Sequence, residues 1–479
     1  MPVVRTVLAD LQTPVGAFLR IAGDAPYAFL LESIEGGERV ARYSFLAANP
    51  WMVARARGDR TAVENGPNRK VVAENGIEFL RRYFADKKLV RRRGLAPFAG
   101  GAVGYLGYGA ARWFEPVLNH NGAEAERSDA AWMFFRTVVA FDRVRQQMEI
   151  TSVVFTDSAQ GNREKLRELY EQALAETEEI EQKLNLEPAL AAEENEPSVD
   201  PTVHFQSNWP RKKFEAAVER VKEYIAAGDC YQAVIAQQFT KPTTASPLSI
   251  YRALRATNPS PYMYFLRFGE ETIIGASPEM LVRCHDQRLD YRPIAGTRKR
   301  GATESEDWML AEEMRSDEKE VAEHTMLVDL GRNDLGRVSD YGSVQVDQFL
   351  TVEQYSHVQH LVSSLRSRLR DDLDRFDALA ACFPAGTVTG APKIRAMQII
   401  DELEPAQRGV YAGAILYVDY ANNLDSCIAI RTIDLREGIA NVEAGAGIVA
   451  DSVPEREFEE CVNKARAMFR AVELAERGL

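Results

Sequence analysis

The strongest constraint on this chain is its supply of short apolar runs broken by turn residues. Through the first 150 residues, segments such as YAFLLES at 27–33, ARYSFLA at 41–47 and TVVAFDRV at 137–144 alternate with Gly and Asn. Runs of this length between turn signals predict strands, five or more of them. Further runs follow at 231–239, 262–268, 271–284, 412–418 and 426–433. Between them the spacing predicts helices at 163–184, from 210 to about 228, near 317–330 and from about 454 onward. Hairpin-like strand pairs mixed with long helices favour an α+β fold over a regularly alternating one.

At 479 residues the chain exceeds the usual single-domain size. The reading is an N-terminal region at 1–185, a linker at 186–204 and a second region at 205–479. The linker combines Pro188, Pro197 and Pro201 with Glu193, Glu194 and Glu196, a composition suited to a solvated connection. The segment 100–114, GGAVGYLGYGAARWF, carries too many glycines for an ordinary helix and reads as a packed turn region. The formal charge of −13 argues against broad phosphate-backbone binding, hence against nucleic acid. A local basic pocket for a small anion remains compatible with it. Neither a signal peptide nor an apolar run of about 20 residues is present, so no membrane partner is expected. Five cysteines without a CxxC pair suit neither a disulfide scaffold nor structural zinc. A reducing, cytoplasmic setting fits.

The last predicted helix carries the most local chemistry. Ser452 and Glu455 have capping-box spacing, with Pro454 in the first turn. Glu457, Glu460 and Lys464 fall within roughly 60° on a helical wheel, beside an apolar face of Phe458, Val462, Ala465 and Phe469. Two carboxylates there suit Mg²⁺, or form an ordinary solvated face. Glu320 and Glu323 repeat that spacing on a second helix, which Asp317 would cap and Glu320 would complete as a capping box. DLGRNDLGRV at 329–338 reads as a polar turn after it. PAGTVTGAPK at 384–393 lacks the GK[ST] end of a phosphate loop. It and GAGIV at 445–449 can each present backbone N–H groups to a carboxylate, or serve as tight turns. His360 suits proton relay or a packed structural role. Glu279 suits a catalytic acid or an exposed turn.

Taken in order, eight strings resemble the chorismate-utilising enzyme family. They are GASPEML at 275–281, PIAGTRKRG at 293–301, DEKEVAEHTMLVDLGRNDLGRV at 317–338, YSHVQHLVS at 355–363, PAGTVTGAPKIRAM at 384–397, IAIRT at 428–432, GAGIV at 445–449 and EFEECVNKARA at 457–467. They span about 270 residues. The resemblance implies two orthogonally packed antiparallel sheets flanked by helices, with the N-terminal region built into the same body. It implies chorismate as substrate. Glu323, Glu457 and Glu460 would surround Mg²⁺, with Glu320 nearby, and Lys464 would add positive charge. Tyr411, Arg431 and the Gly445, Ala446 and Gly447 amides would hold the enolpyruvyl carboxylate. Thr387 and Gly390 would line the ring site, and Gln232, Gly296 and Thr297 would also bind substrate. Glu279 would be the general acid, with His360 and Thr387 as further catalytic residues.

Within the family, Ala295 stands where aminodeoxychorismate synthases typically carry lysine. Gln232 stands where isochorismate and salicylate synthases have theirs. Both absences point to ammonia as nucleophile and to the anthranilate-forming branch. Aminodeoxychorismate and aminodeoxyisochorismate synthases, and a tryptophan-sensing subunit without catalysis, are the competing readings. Leu31, Glu32 and Ser33, together with Asn258, Pro259, Pro261, Tyr262, Met263 and Cys427, resemble the tryptophan feedback site of that branch. The resemblance also implies a separate glutamine amidotransferase subunit and a hetero-oligomer.

Overall fold

The computed structural model describes all residues except 35–41, 91, 93, 119–126, 187–203, 356, 357 and 479. The acidic Pro-containing linker therefore lies almost wholly outside the described residues. The predicted α+β class is what the chain adopts: two twelve-stranded antiparallel sheets with helices outside them.

One sheet runs, edge to edge, through Pro2–Leu8, Gln147–Val153, Thr137–Asp142, Tyr43–Ala48, Tyr27–Glu32, Tyr262–Phe268, Glu271–Ser277, Thr432–Arg436, Ile439–Ile448, Gln232–Pro242 and Gln206–Ser207, with Gly390–Ala391 as a twelfth strand also paired to Gln232–Pro242. The other runs through Ile294–Lys299, Val358–Arg368, Arg288–Tyr291, Met280–His285, Leu424–Ile428, Ala414–Asp419, Gly101–Leu106, Ala130–Phe135, Met52–Arg57, Arg60–Asn65 and Asn68–Val72, with Gln345–Gln354 as a twelfth strand also paired to Val358–Arg368. Each sheet thus joins strands from both halves of the sequence. In the first, Tyr27–Glu32 pairs with Tyr262–Phe268; in the second, Gly101–Leu106 pairs with Ala414–Asp419.

The sheets meet face to face. Phe29, Phe45 and Tyr264 of the first pack in one core with Val103, Tyr105, Met133 and Ile415 of the second. The outer face of the first sheet is covered by Pro14–Ala22, Pro247–Thr257 and Pro454–Glu476, whose Phe18, Leu254 and Met468 are buried against it. A single side chain such as Phe18 contributes on the order of 2–3 kcal/mol by leaving water.

Four local expectations change. The Gly-rich segment is a buried strand at Gly101–Leu106 followed by a 3₁₀ turn at Tyr108–Trp113. Its glycines serve close approach, because a Cβ on Gly104 would lie 1.9 Å from the Ala131 carbonyl oxygen. The acidic helix runs Glu318–Gly336, straight through the expected polar turn. Gly331 is tolerated mid-helix because the Tyr291 ring packs where its Cβ would be, 2.5 Å away. Asp317 does cap this helix, accepting from the Lys319 and Glu320 N–H groups, but the Glu320 carboxylate turns to Arg298 at 2.8 Å rather than closing a box. Nor does Ser452 cap the last helix. Val453 occupies that position, and the Ser452 hydroxyl accepts from the Val449 N–H.

Candidate active site

A cavity of about 190 Å³ opens beside the strand pair Gln232–Pro242 and Ile439–Ile448. It draws together Gln232, Glu279, Glu323, Thr387, Tyr411, Arg431, Gly445, Gly447 and Lys464. These nine expected residues span more than 230 positions of sequence and come from two strands of the first sheet, two helices and four connecting segments. The strand pair explains part of the set. Val234 faces Gly447 and Ala236 faces Gly445 in the ladder, so alternation turns every second residue toward the cavity. Gly445 leaves room for the Tyr411 hydroxyl, 2.9 Å from its would-be Cβ; Gly447 leaves room for Gln232 Nε2 at 2.6 Å. The Ala446 side chain, between them, faces the opposite core.

The charges here are poorly partnered. Arg431 is half-buried, and among the described residues no carboxylate pairs with it. Burial lowers its pKa, and Tyr411 offsets only part of that effect. Its backbone is held at φ +53°, a conformation that costs a non-glycine residue of order 1–3 kcal/mol. Glu279 follows the break between Glu271–Ser277 and Met280–His285. Burial pushes its carboxyl up to about 8, opposed by Thr387, the Ile294 N–H and the Lys464 charge. It is therefore protonated at neutral pH. Thr387 Oγ1 lies close to this carboxyl yet makes no hydrogen bond of good geometry, and Gln232 Oε1 is likewise buried without a partner. Orphaned polar atoms at a concave site await a polar ligand. Lys464 donates to the Gly445 carbonyl at 3.1 Å and pairs with Glu460 at 2.7 Å.

The two acidic helices do face one another. Burial raises Glu323, and the neighbouring Glu320 and Glu460 charges add to the shift. Glu457 is raised by burial and by Glu460. Among the described residues, however, no three His, Cys, Asp or Glu side chains are drawn together closely enough to enclose an ion, and Glu320 is occupied by Arg298.

Other expected residues lie apart from the cavity lining. Gly390 sits in the ladder against Ala233, where a Cβ would strike the Gln232 carbonyl at 2.1 Å. His360 Nδ1 lies 2.9 Å from the Gly296 carbonyl and 3.0 Å from Thr297 Oγ1. This contact directs Nδ1–H to the backbone, which orients the ring. Gly296 in turn approaches the Glu320 carboxylate. The cavity also contains Glu443, which the sequence reading missed. It is two residues before Gly445 on the same strand face, so period-2 alternation was the available signal.

Between the sheets lies a second pocket of about 390 Å³, lined by Leu31, Glu32, Ser33, Pro261, Tyr262, Met263 and Cys427 among others. Asn258 and Pro259 are not in its lining. Glu32 is clamped by Tyr251 at 2.6 Å, Arg255 at 3.0 Å and Arg143 at 3.2 Å. The five cysteines are buried and free. No helix among the described residues is long and apolar enough to cross a membrane.

Residues 27–470 match the family described as chorismate binding enzyme. Among curated relatives, anthranilate synthase component 1 of Acetivibrio thermocellus is 44% identical, covering 99% of this chain and 96% of that protein. The component 1 of Pseudomonas aeruginosa is 43% identical, covering 100% and 96%. A crystal structure of anthranilate synthase component I from Streptococcus pneumoniae superposes with a TM-score of 0.77 at 34% identity, covering 97% of this chain and 99% of that one. The menaquinone-specific isochorismate synthase from Escherichia coli shares the fold, with a TM-score of 0.69 at 19% identity over 98% and 95%.

Proposed function

The chain belongs to the chorismate binding enzyme family, and from that premise we propose that it aminates chorismate with ammonia and eliminates pyruvate to give anthranilate. The observation that carries this reading is the cavity's charge pattern: a half-buried Arg431, with no carboxylate partner among the described residues, in the same cavity as a neutral, buried Glu279. Full-length relatives named anthranilate synthase component 1 supply the reaction class.

Arg431, with Tyr411 and the Gly445 and Gly447 amides, binds the enolpyruvyl carboxylate; its planar fork suits two charge-assisted hydrogen bonds. Glu279 holds the proton that the departing ring hydroxyl takes up. Ammonia forms the new C–N bond, giving the amino intermediate. Loss of a ring proton and of pyruvate then restores aromaticity. His360, oriented by the Gly296 carbonyl, serves this second step. Gln232 takes no proton from water, which favours ammonia over hydration.

The oxygen donors of Glu323, Glu457 and Glu460, with Glu320 nearby, fit Mg²⁺: burial raises Glu323 and Glu457, neighbouring carboxylates add to the shift, and a hard divalent cation would offset both. When bound it would supply positive charge to the ring carboxylate. A glutamine amidotransferase subunit is the source of ammonia, and the pocket between the sheets takes L-tryptophan as inhibitor, its Ser33 hydroxyl being buried without a partner.

The test is mass analysis of the product formed from chorismate, Mg²⁺ and ammonium by this chain alone. Anthranilate and pyruvate support the reading. Aminodeoxychorismate, or an amino intermediate that stops short of pyruvate loss, overturns it.

A further inference from the structure

Glu443 lines the chorismate cavity and has no part in the amination chemistry. It is buried, and it lies on the strand Ile439–Ile448 with Gly445 and Gly447 on the same face. That face forms the end of the cavity that takes the enolpyruvyl carboxylate. The cross-strand neighbour Gln238 is neutral and compensates no charge. A carboxylate in the wall of a site for a dianion is unfavourable unless a cation meets it or it takes a proton.

The cations around Glu443 are engaged elsewhere. Arg127 pairs with Asp434 at 2.7 Å, and Arg408 pairs with Glu404 at 2.6 Å. Among the described residues neither makes an ion pair with Glu443. From the neighbouring elements Glu443 faces Arg127, Arg408, Glu404 and the Gly409 N–H. Tyr411, Arg431, Lys464, Glu279 and Glu323 share the cavity with it. Burial pushes its carboxyl up to about 7, with Glu404 adding to the rise and Arg127, Arg408 and the Gly409 N–H opposing it. Glu443 also adds to the rise that burial imposes on the Tyr411 hydroxyl, so the two groups sense one another. Near neutral pH Glu443 therefore populates both charge states. A ligand carboxylate beside Tyr411 favours the neutral one by like-charge repulsion. Linkage makes the preference reciprocal: the neutral carboxyl favours the ligand by the same factor.

We propose that Glu443 couples chorismate affinity to pH: its carboxylate takes up one proton from solvent as the enolpyruvyl carboxylate enters, and returns it when pyruvate leaves. This rests on chorismate as the ligand of the cavity, the reading given above. One O–H bond forms on Glu443 on binding and breaks on release, so the proton count closes over a turnover. A neutral wall then faces the ligand, and Arg431 remains uncompensated except by the ligand itself.

The test is calorimetric titration of chorismate into the full chain with Mg²⁺ and no nitrogen source, repeated in two buffers of different ionisation enthalpy. At about pH 7 the wild type is expected to take up roughly half a proton per chorismate. Glu443→Gln, which is neutral at every pH, should take up about a tenth, the share left to Glu279. Between about pH 6 and about pH 7.5 the wild-type Kd should rise about fourfold, and that of Glu443→Gln less than twofold. Arg127→Gln removes the leading positive influence on Glu443 and should move the midpoint of proton uptake to higher pH. Melting temperatures report whether each variant is folded. Equal proton uptake by wild type and folded Glu443→Gln, a wild-type Kd that is flat with pH, or an unshifted midpoint in folded Arg127→Gln overturns the coupling. Absence of anthranilate when ammonium is supplied would instead overturn the amination reading and leave these binding results standing.

Discussion

The chorismate cavity and the pocket between the sheets are both buried and both hold charged groups, yet they treat charge in opposite ways. In the pocket between the sheets the charges are satisfied by the protein itself. Glu32 receives three donors, and Asp425 receives Arg283 at 2.8 Å and the Tyr262 hydroxyl at 3.2 Å. In the chorismate cavity Arg431 has no carboxylate partner among the described residues, and Glu279 sheds its charge by keeping a proton. A self-satisfied pocket is built for stability and recognises a ligand through shape and a few hydrogen bonds. A site left electrostatically incomplete is built for a charged ligand that completes it. The contrast predicts that removing a polar group should cost activity in one place and stability in the other.

The largest effect is expected at Glu279. Glu279→Gln should lower the rate of amination about 10³-fold through loss of a general acid. In the wild type the rate should fall as pH rises through about 8. The same substitution should stabilise the fold at alkaline pH. A carboxyl whose pKa is raised on folding contributes stability below its unfolded value, and that contribution is lost as pH rises through the folded value. Thermal melts of both proteins from about pH 6 to about pH 9 measure this. A variant less stable than wild type at the upper end would contradict the unpaired state of Glu279. Next in size is Arg431→Ala, expected to lower kcat/KM for chorismate about 10²-fold with no loss in melting temperature. A melting point several degrees lower would mean that Arg431 is held by the protein after all.

Across the divide, Tyr251→Phe removes the shortest of the Glu32 contacts. The expected cost is about 1.5 kcal/mol of stability, read by chemical denaturation, with kcat/KM for chorismate unchanged. A kinetic defect without a stability loss would erase the distinction between the two regions.

The motif strings gave away the cavity's membership because its residue types are unusual in combination. They did not give its geometry. That geometry depends on strands from both halves of the chain sharing each sheet, and no local spacing encodes it. Helix ends were legible where the signal is local, as for the helix expected at 163–184, which runs Arg163–Leu184 and is capped by Asn162. They were misread where a distant side chain intervenes: Tyr291 lets a helix continue through Gly331, and Arg298 draws Glu320 away from its cap. The Gly101–Leu106 strand was hidden because its glycines answer to neighbouring backbone rather than to a turn. Glu443 was passed over because a lone acid inside an apolar strand has no motif. Its meaning comes from the residues across the ladder and beyond it.

The smallest expected effect tests whether the pocket between the sheets recognises tryptophan by a few specific contacts. Its lining is mostly apolar and aromatic, and its ionic groups are already paired, so affinity should depend on fit and on polar atoms still lacking partners. Ser33 Oγ and Asn423 Oδ1 are two such atoms in the lining. Ser33→Ala deletes one of them with little change in volume. One neutral hydrogen bond contributes about 1 kcal/mol, so inhibition by tryptophan should weaken roughly five- to tenfold. Uninhibited anthranilate formation should stay the same, because the linings of the two cavities share no residue. Inhibition curves for the two proteins at one chorismate concentration measure the shift. An unchanged midpoint would leave the pocket's apolar surface as the sole determinant of binding. A loss of basal rate would instead mean that the two regions share their polar groups rather than divide them.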